Sequence, residues 1–389
     1  MAAPNPTLSV PSPTTRILRL VAAIGGLCFL LGLFVAPREA WTGYLMGFVL
    51  FVELSLAGAF FLAILTLANA RWATALRRIL EAMASALPVG GLLALVLLGG
   101  VHTLYEWSHE SVVQSDALLL GKSAYLNMGF FALRLVVFFL LWIFLSRRMI
   151  QASREQDHGE VRPATRRLLF GAVAFLPIFA VTFSLASIDW IKSLEPHWFS
   201  TIYGLVTLSS LASAGIAACL ILAIFLRRGP MRGIVRPEHL DDMGKIAMGF
   251  ALFWGYIWYC QYMLIWYTDM PEETPYYALR AQGGWRLLTW ASVTLNWGIP
   301  FFALMPKVVR RTPRYLLQIA YVMLLGQVLN LFILIGPSQM GAEPHLSIFE
   351  LAPVIGAGAL FFLFVLRGLA ATSLVPKQDP HLEESLHYH

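Results

Sequence analysis

Residues 41–69 read WTGYLMGFVLFVELSLAGAFFLAILTLAN, and Arg71, Arg77 and Arg78 follow close behind. The run holds one acid, Glu53, and no base or proline. At ~1.5 Å rise per residue it is long enough to cross ~30 Å of hydrocarbon. Only a helix or a closed barrel satisfies its own backbone in lipid, and the run lacks the alternation of a barrel strand. It therefore reads as a membrane-spanning helix that ends in a basic loop. Comparable runs lie on either side, at approximately 17–36, 86–106, 122–146, 167–188, 200–226, 244–268, 285–305, 314–336 and 349–371. The expected class is an all-α integral membrane protein with about ten transmembrane helices.

Composition agrees. Of 389 residues 58% are hydrophobic and only 13% charged, about half the usual share for a soluble domain, and the mean hydropathy is +0.69. The net charge of +6 does not indicate a nucleic-acid partner, because of where the bases lie. Twenty-two of the 28 fall in the loops of one side, at Arg16–Arg19, Arg71–Arg78, Arg147–Arg167, Arg227–Lys245, Lys307–Arg314 and Arg367–Lys377. The other side has only Arg38, Lys122, Lys192, Arg280 and Arg286, and Arg134 falls inside a span. Such a split places both termini in the cytoplasm and requires an even helix count. The first 15 residues are polar and proline-rich, and the apolar run after Arg19 is too long for a signal-peptide core, so it reads as a retained span.

Cys28, Cys219 and Cys260 stand alone in apolar segments. Without a Cys-x-x-Cys pair, iron–sulfur ligation, c-type haem attachment and a zinc knuckle have no support. Haem b would need facing histidines, and only His102 lies in a span. The longest basic loop, 147–166, is too short for a domain, so redox chemistry outside the membrane must come from partners.

Ionisable residues inside spans are costly and mark candidate sites. Glu53 lies 12 residues after Trp41, and Arg134 lies 12 residues after Lys122. Both would then sit ~18 Å deep. His102 is near the outer end of the third span and Asp189 closes the fifth. These four could form one proton path from the outer face, or a quinone head-group site. The structural reading is a buried Glu53–Arg134 ion pair, with His102 hydrogen-bonded at the interface. The later spans carry neutral polar groups: Tyr256, Tyr259, Gln261, Asn296, Gln318, Gln327 and Asn330. Interhelical hydrogen bonding explains them. A second polar path is the alternative, with Asp242 and Lys245 at its cytoplasmic mouth.

At 187–204 the chain reads SIDWIKSLEPHWFSTIYG. This stretch resembles the NrfD-like membrane subunits of alternative complex III, a bacterial quinol:cytochrome c (or other acceptor) oxidoreductase. The likeness rests on Asp189, Ser193, Pro196, Trp198, Thr201 and Ile202. The Asp189-Trp190 and Pro196-His197-Trp198 wording is most similar to the shorter, second paralogue. FWGYIWYCQYMLIWYTDMPEETPYY at 253–277 and HLEESLHYH at 381–389 agree. The resemblance implies two four-helix bundles plus two peripheral helices. A cytoplasmic tail (1–15) would precede the first helix and first bundle (16–188). The periplasmic motif (189–199), the second bundle (200–336), the tenth helix (349–371) and a cytoplasmic tail (372–389) would follow. It also implies the bacterial cytoplasmic membrane. The expected partners are the larger NrfD-like paralogue, an iron–sulfur subunit, haem-c subunits and small membrane subunits. No cofactor is expected on this chain itself, save for a quinone such as menaquinone, bound here or by the paralogue. A purely structural anchor is the alternative. A stand-alone transporter is the weaker one, since Pro177 and Pro300 interrupt spans without forming a matched pair about a charged site.

Overall fold

The computed structural model describes residues 6–10, 12–159 and 161–388. Positions 1–5 and 11 of the expected N-terminal tail, and His389 of the closing motif, lie outside the described residues. Among the described residues there is no strand. Nine helices there are long and apolar enough to cross a membrane: α1 Ser12–Val35, α2 Pro37–Leu67, α3 Arg71–Leu104, α4 Met128–His158, α5 Val161–Leu194, α6 Tyr203–Arg227, and, after one intervening helix, α8 Gly283–Leu304, α9 Pro313–Met340 and α10 Ile348–Ala370. The chain is a multi-pass membrane protein. The intervening helix, α7 Pro237–Thr268, has 32 residues. It covers the expected span 244–268, but Trp254, Tyr256, Trp258, Tyr259 and Gln261 hold its hydropathy below that of the other nine.

Two helices form the interior. In α2 every residue from Ala40 to Ala63 is buried, and α6 is buried over most of its length. Both are apolar all round, as a helix enclosed by other helices must be. Water cannot drive helices together inside lipid, so small residues that let backbones approach do the work. A Cβ on Gly215 of α6 would lie 2.1 Å from Ala57 of α2, and one on Gly25 of α1 would lie 2.7 Å from the Cα of Gly356 of α10. Around this centre α1 packs along α10 and α10 along α2, α4 packs along α5, and α6 packs against α7 and α9.

Three expectations need correction. The fourth span begins at Met128, not 122, because Asn127 Oδ1 accepts from the Phe130 amide at 2.9 Å and caps the helix there. Lys122 ends a separate short helix, Ala117–Lys122. The 147–166 loop is mostly helical: the α-helical part of α4 continues to Glu155 and α5 starts at Val161. The arginine-rich ends of these helices project beyond the apolar length, where water solvates the side chains while the backbone ladder continues. Finally, the 372–388 segment is packed down, with Leu374, Val375, Leu382 and Ser385 all buried.

Candidate functional site

Arg134 meets Asp189, not Glu53. Its Nε lies 2.7 Å from Asp189 Oδ2 and its Nη2 2.9 Å from Oδ1, a two-pronged pair between α4 and α5. The third guanidinium nitrogen donates to the Tyr125 carbonyl at 2.9 Å, and the Tyr125 and Phe130 rings cover the cation at 3.8 and 4.4 Å. Both charges are buried. The expected Glu53–Arg134 pair fails for a geometric reason. Since α4 starts at Met128, Arg134 is only six residues, ~9 Å, inside it. Glu53 is sixteen residues, ~24 Å, along α2.

Glu53 is 2% exposed, and neither carboxyl oxygen has a hydrogen-bond partner among the described residues. Its level is bracketed by ring contacts between α2 and α5, Phe48–Trp190 at 4.9 Å and Phe60–Phe179 at 5.6 Å. One turn along, Ala57 abuts Gly215 of α6. An isolated charge here would cost several kcal/mol, so the group must hold a proton or be reached by water. His102 lies elsewhere: it is exposed, 3.1 Å from Ser108 Oγ, with its carbonyl accepting from His109 Nε2 at 2.8 Å. No hydrogen bond or ion pair among the described residues joins His102 or Glu53 to the Arg134–Asp189 pair.

The motif at 189–201 is a clamp on the side opposite the basic loops. Ser193 Oγ donates back to the Asp189 carbonyl at 2.5 Å. Trp190 is buried against Phe48 and Trp142. The Pro196 carbonyl accepts from Lys122 Nζ at 2.6 Å, and His197 Nε2 meets Asp116 at 2.5 Å. That hydrogen bond holds the Asp116 carboxyl below its usual range. Trp198 stacks on Tyr276, centroids 3.9 Å apart, while Thr201 is exposed in the turn before α6. The sequence reading missed Glu195 and Arg280, which meet at 2.7 Å. Buried Arg280 also donates to the carbonyls of Ile333 and Tyr276 and lies 3.4 Å over the Tyr276 ring. Its place among the few bases outside the basic loops was the available signal.

In the later helices the candidates fall into three groups. Asn296 sits in a π-helical turn, Thr294–Gly298, and its amide donates to the carbonyls of Ser292 at 2.9 Å and Gly326 at 2.8 Å. Asn296 Oδ1 and both polar atoms of the next candidate, Gln327, are buried without partners among the described residues. π-turns open a helix and recur at functional positions. Gln261 donates to Ser200 at 3.1 Å, and Asn330 to Ser210 at 2.9 Å. Tyr256, by contrast, is 60% exposed on the outside of α7.

On the basic face Asp242 pairs with Lys245 at 2.7 Å, and Asp241 with Arg310 at 2.7 Å. The C-terminal segment covers this point. Tyr388 Oη donates to Asp242 at 2.6 Å, which pushes the phenol up to about 12. Ser385 Oγ donates to the Trp72 carbonyl at 2.6 Å and accepts from the Ala75 amide at 3.2 Å. Asp379 pairs with Arg77, and the Lys377 amide donates to Asp157 at 2.7 Å. A second unforeseen cluster lies beneath: buried Glu81 accepts from Arg78 at 2.6 Å and from Ser153 at 2.5 Å, and Arg78 also meets Asp157. Among the described residues no group of three or more His, Cys, Asp or Glu is placed to hold a metal ion.

No protein-family model matches the chain, and no curated protein is similar to it in sequence.

Proposed function

We propose that the chain is an NrfD-like membrane subunit of a quinol:electron-acceptor oxidoreductase of the alternative complex III type, in the bacterial cytoplasmic membrane. In this reading α7 is the tenth span, α2–α5 and α6–α9 form two bundles, α1 and α10 are peripheral, and both termini are cytoplasmic. The pairing of α1 with α10 supports that division, as does the one-sided distribution of arginine. Quinol oxidation and electron transfer belong to partners with iron–sulfur clusters and haem c; this subunit contributes proton exchange. The observation that carries the proposal is Glu53, a carboxyl midway along the most buried helix with no partner of its own. A titratable group so placed is a functional candidate rather than glue.

The path differs from the four-residue line drawn from sequence. Arg134 and Asp189 satisfy each other and hold α4 to α5; Glu53 is the exchanging group, and Asn296 Oδ1 and the Gln327 amide, without partners among the described residues, supply a polar stretch in the second bundle. The test is Glu53→Gln in the assembled complex, reconstituted in liposomes with a pH-sensitive dye inside. The expected result is normal assembly with fewer protons translocated per electron. An unchanged ratio would favour the anchor reading, which the fully paired Arg134–Asp189 and Arg280–Glu195 bridges support. Co-isolation in mild detergent with haem-c and iron–sulfur subunits tests the membership itself.

A further inference from the structure

Between the α1–α10 pair and the α6–α9 pair runs a groove of about 360 Å³, open to the membrane side. It begins at the basic face, where Thr14 and Arg228 form its rim. It ends at Leu324, eleven residues into α9. That depth is ~16 Å, about one leaflet of a ~30 Å hydrocarbon layer. The walls in between are apolar, from Leu18, Phe362 and the flank of Tyr321.

The rim is charged in one sense only. Arg228 is exposed and, among the described residues, has no carboxylate or carbonyl acceptor for its guanidinium. Its neighbour Arg227 is already committed to the Val235 carbonyl at 3.0 Å. An unclaimed guanidinium over an apolar slot one leaflet deep matches an amphiphile with an anionic head and a hydrocarbon tail. A guanidinium is also well suited to phosphate oxygens. We propose that this groove is a specific site for an anionic diacyl phospholipid of the leaflet on the basic side. The phosphate would lie on Arg228 and one acyl chain would lie along the groove. The lipid would then fill the seam between the peripheral helix pair and the second bundle. This inference does not depend on the redox reading.

The test uses the full chain in nanodiscs containing equal amounts of phosphatidylglycerol and phosphatidylcholine, with a benzophenone amino acid in place of Tyr321. Cross-linking should favour phosphatidylglycerol, and Arg228→Ala should remove the preference, a change of about five-fold for one basic residue near an anionic surface. Arg228→Lys should retain most of it. Equal yields of the two lipids in the otherwise native protein would mean ordinary annular lipid and overturn the proposal. In membranes from cells, a cross-link to polypeptide alone would assign the groove to a partner helix and overturn it equally. Should Arg228→Ala fail to accumulate, the lipid preference of the benzophenone protein decides by itself.

Discussion

Two buried acids of this protein, Asp189 and Glu53, lie on neighbouring helices and are used in opposite ways. Asp189 is held by both prongs of Arg134 and carries a motif whose next residues grip both halves of the chain. Glu53 is as deeply buried and touches no donor among the described residues. The difference is a matter of what each position asks of a charge. Near the helix ends a compensating arginine can reach in from a capped turn, and the pair becomes a rivet. In the middle of α2, between Val52 and Leu54 on a helix buried all round, no such partner reaches the carboxyl among the described residues.

Breaking the rivet should have the largest effect. Asp189→Ala leaves Arg134 buried and unpaired, and should cost ~3–5 kcal/mol, read as a fall in the thermal unfolding temperature in detergent. The Arg134→Met, Asp189→Leu double variant should recover most of it, because a well-packed apolar pair can replace a buried ion pair. If Asp189→Ala is as stable as the parent, the contrast drawn here collapses. Glu53→Gln breaks no pair, so its stability should stay within ~1 kcal/mol of the parent, even as proton exchange is lost. A large destabilisation there would show that Glu53 has a structural partner after all. Gln327→Leu sharpens the same point in the second bundle. Removing an amide that has no partner should leave stability unchanged or raise it by ~1 kcal/mol, by the same unfolding measurement.

The smallest effect is at the exposed edge of the motif. Asp116 has its carboxyl lowered by the hydrogen bond from His197. A carboxyl lowered in the folded state stabilises it above the ordinary carboxylate range of ~3.9, and that contribution is lost as pH falls through the lowered value. Hydrogen-exchange protection in residues 109–122, after division by the intrinsic amide rate at each pH, should therefore be constant near neutrality and fall only in strong acid. In His197→Gln protection should already be lower near neutrality and its fall in acid smaller, and identical profiles would deny the pair any role.

How much of this was visible in the sequence depends on which forces decided each feature. Apolar length and loop charge are summed over many residues, so the helices and the basic face were plain. The motif at 189–198 was also plain, and its aromatic and charged members do clamp the base-poor side. Partner identity was not, because it turned on a single cap. Counting depth from Lys122 set Arg134 level with Glu53, whereas Asn127 restarts the helix and leaves Arg134 near its N-terminal end. The same limit hid the Arg280–Glu195 bridge, which joins residues 85 positions apart. The buried tail was readable in part: Leu374, Val375 and Leu382 are apolar residues in a segment expected only as a tail, and they are buried in its packing.

That tail has a consequence for the basic face. Its residues join Trp72, Ala75 and Arg77 near the start of α3 to Asp242 near the start of α7, and the Leu374 amide donates to the Pro6 carbonyl at 3.0 Å. It is a strap across segments far apart in sequence. Cutting the chain after Ala371 would leave Arg77 without Asp379, Asp242 without Tyr388, and the apolar seats of Leu374 and Leu382 empty. The ends of α3 and α7 would then lose the one segment that touches both of them through these bonds.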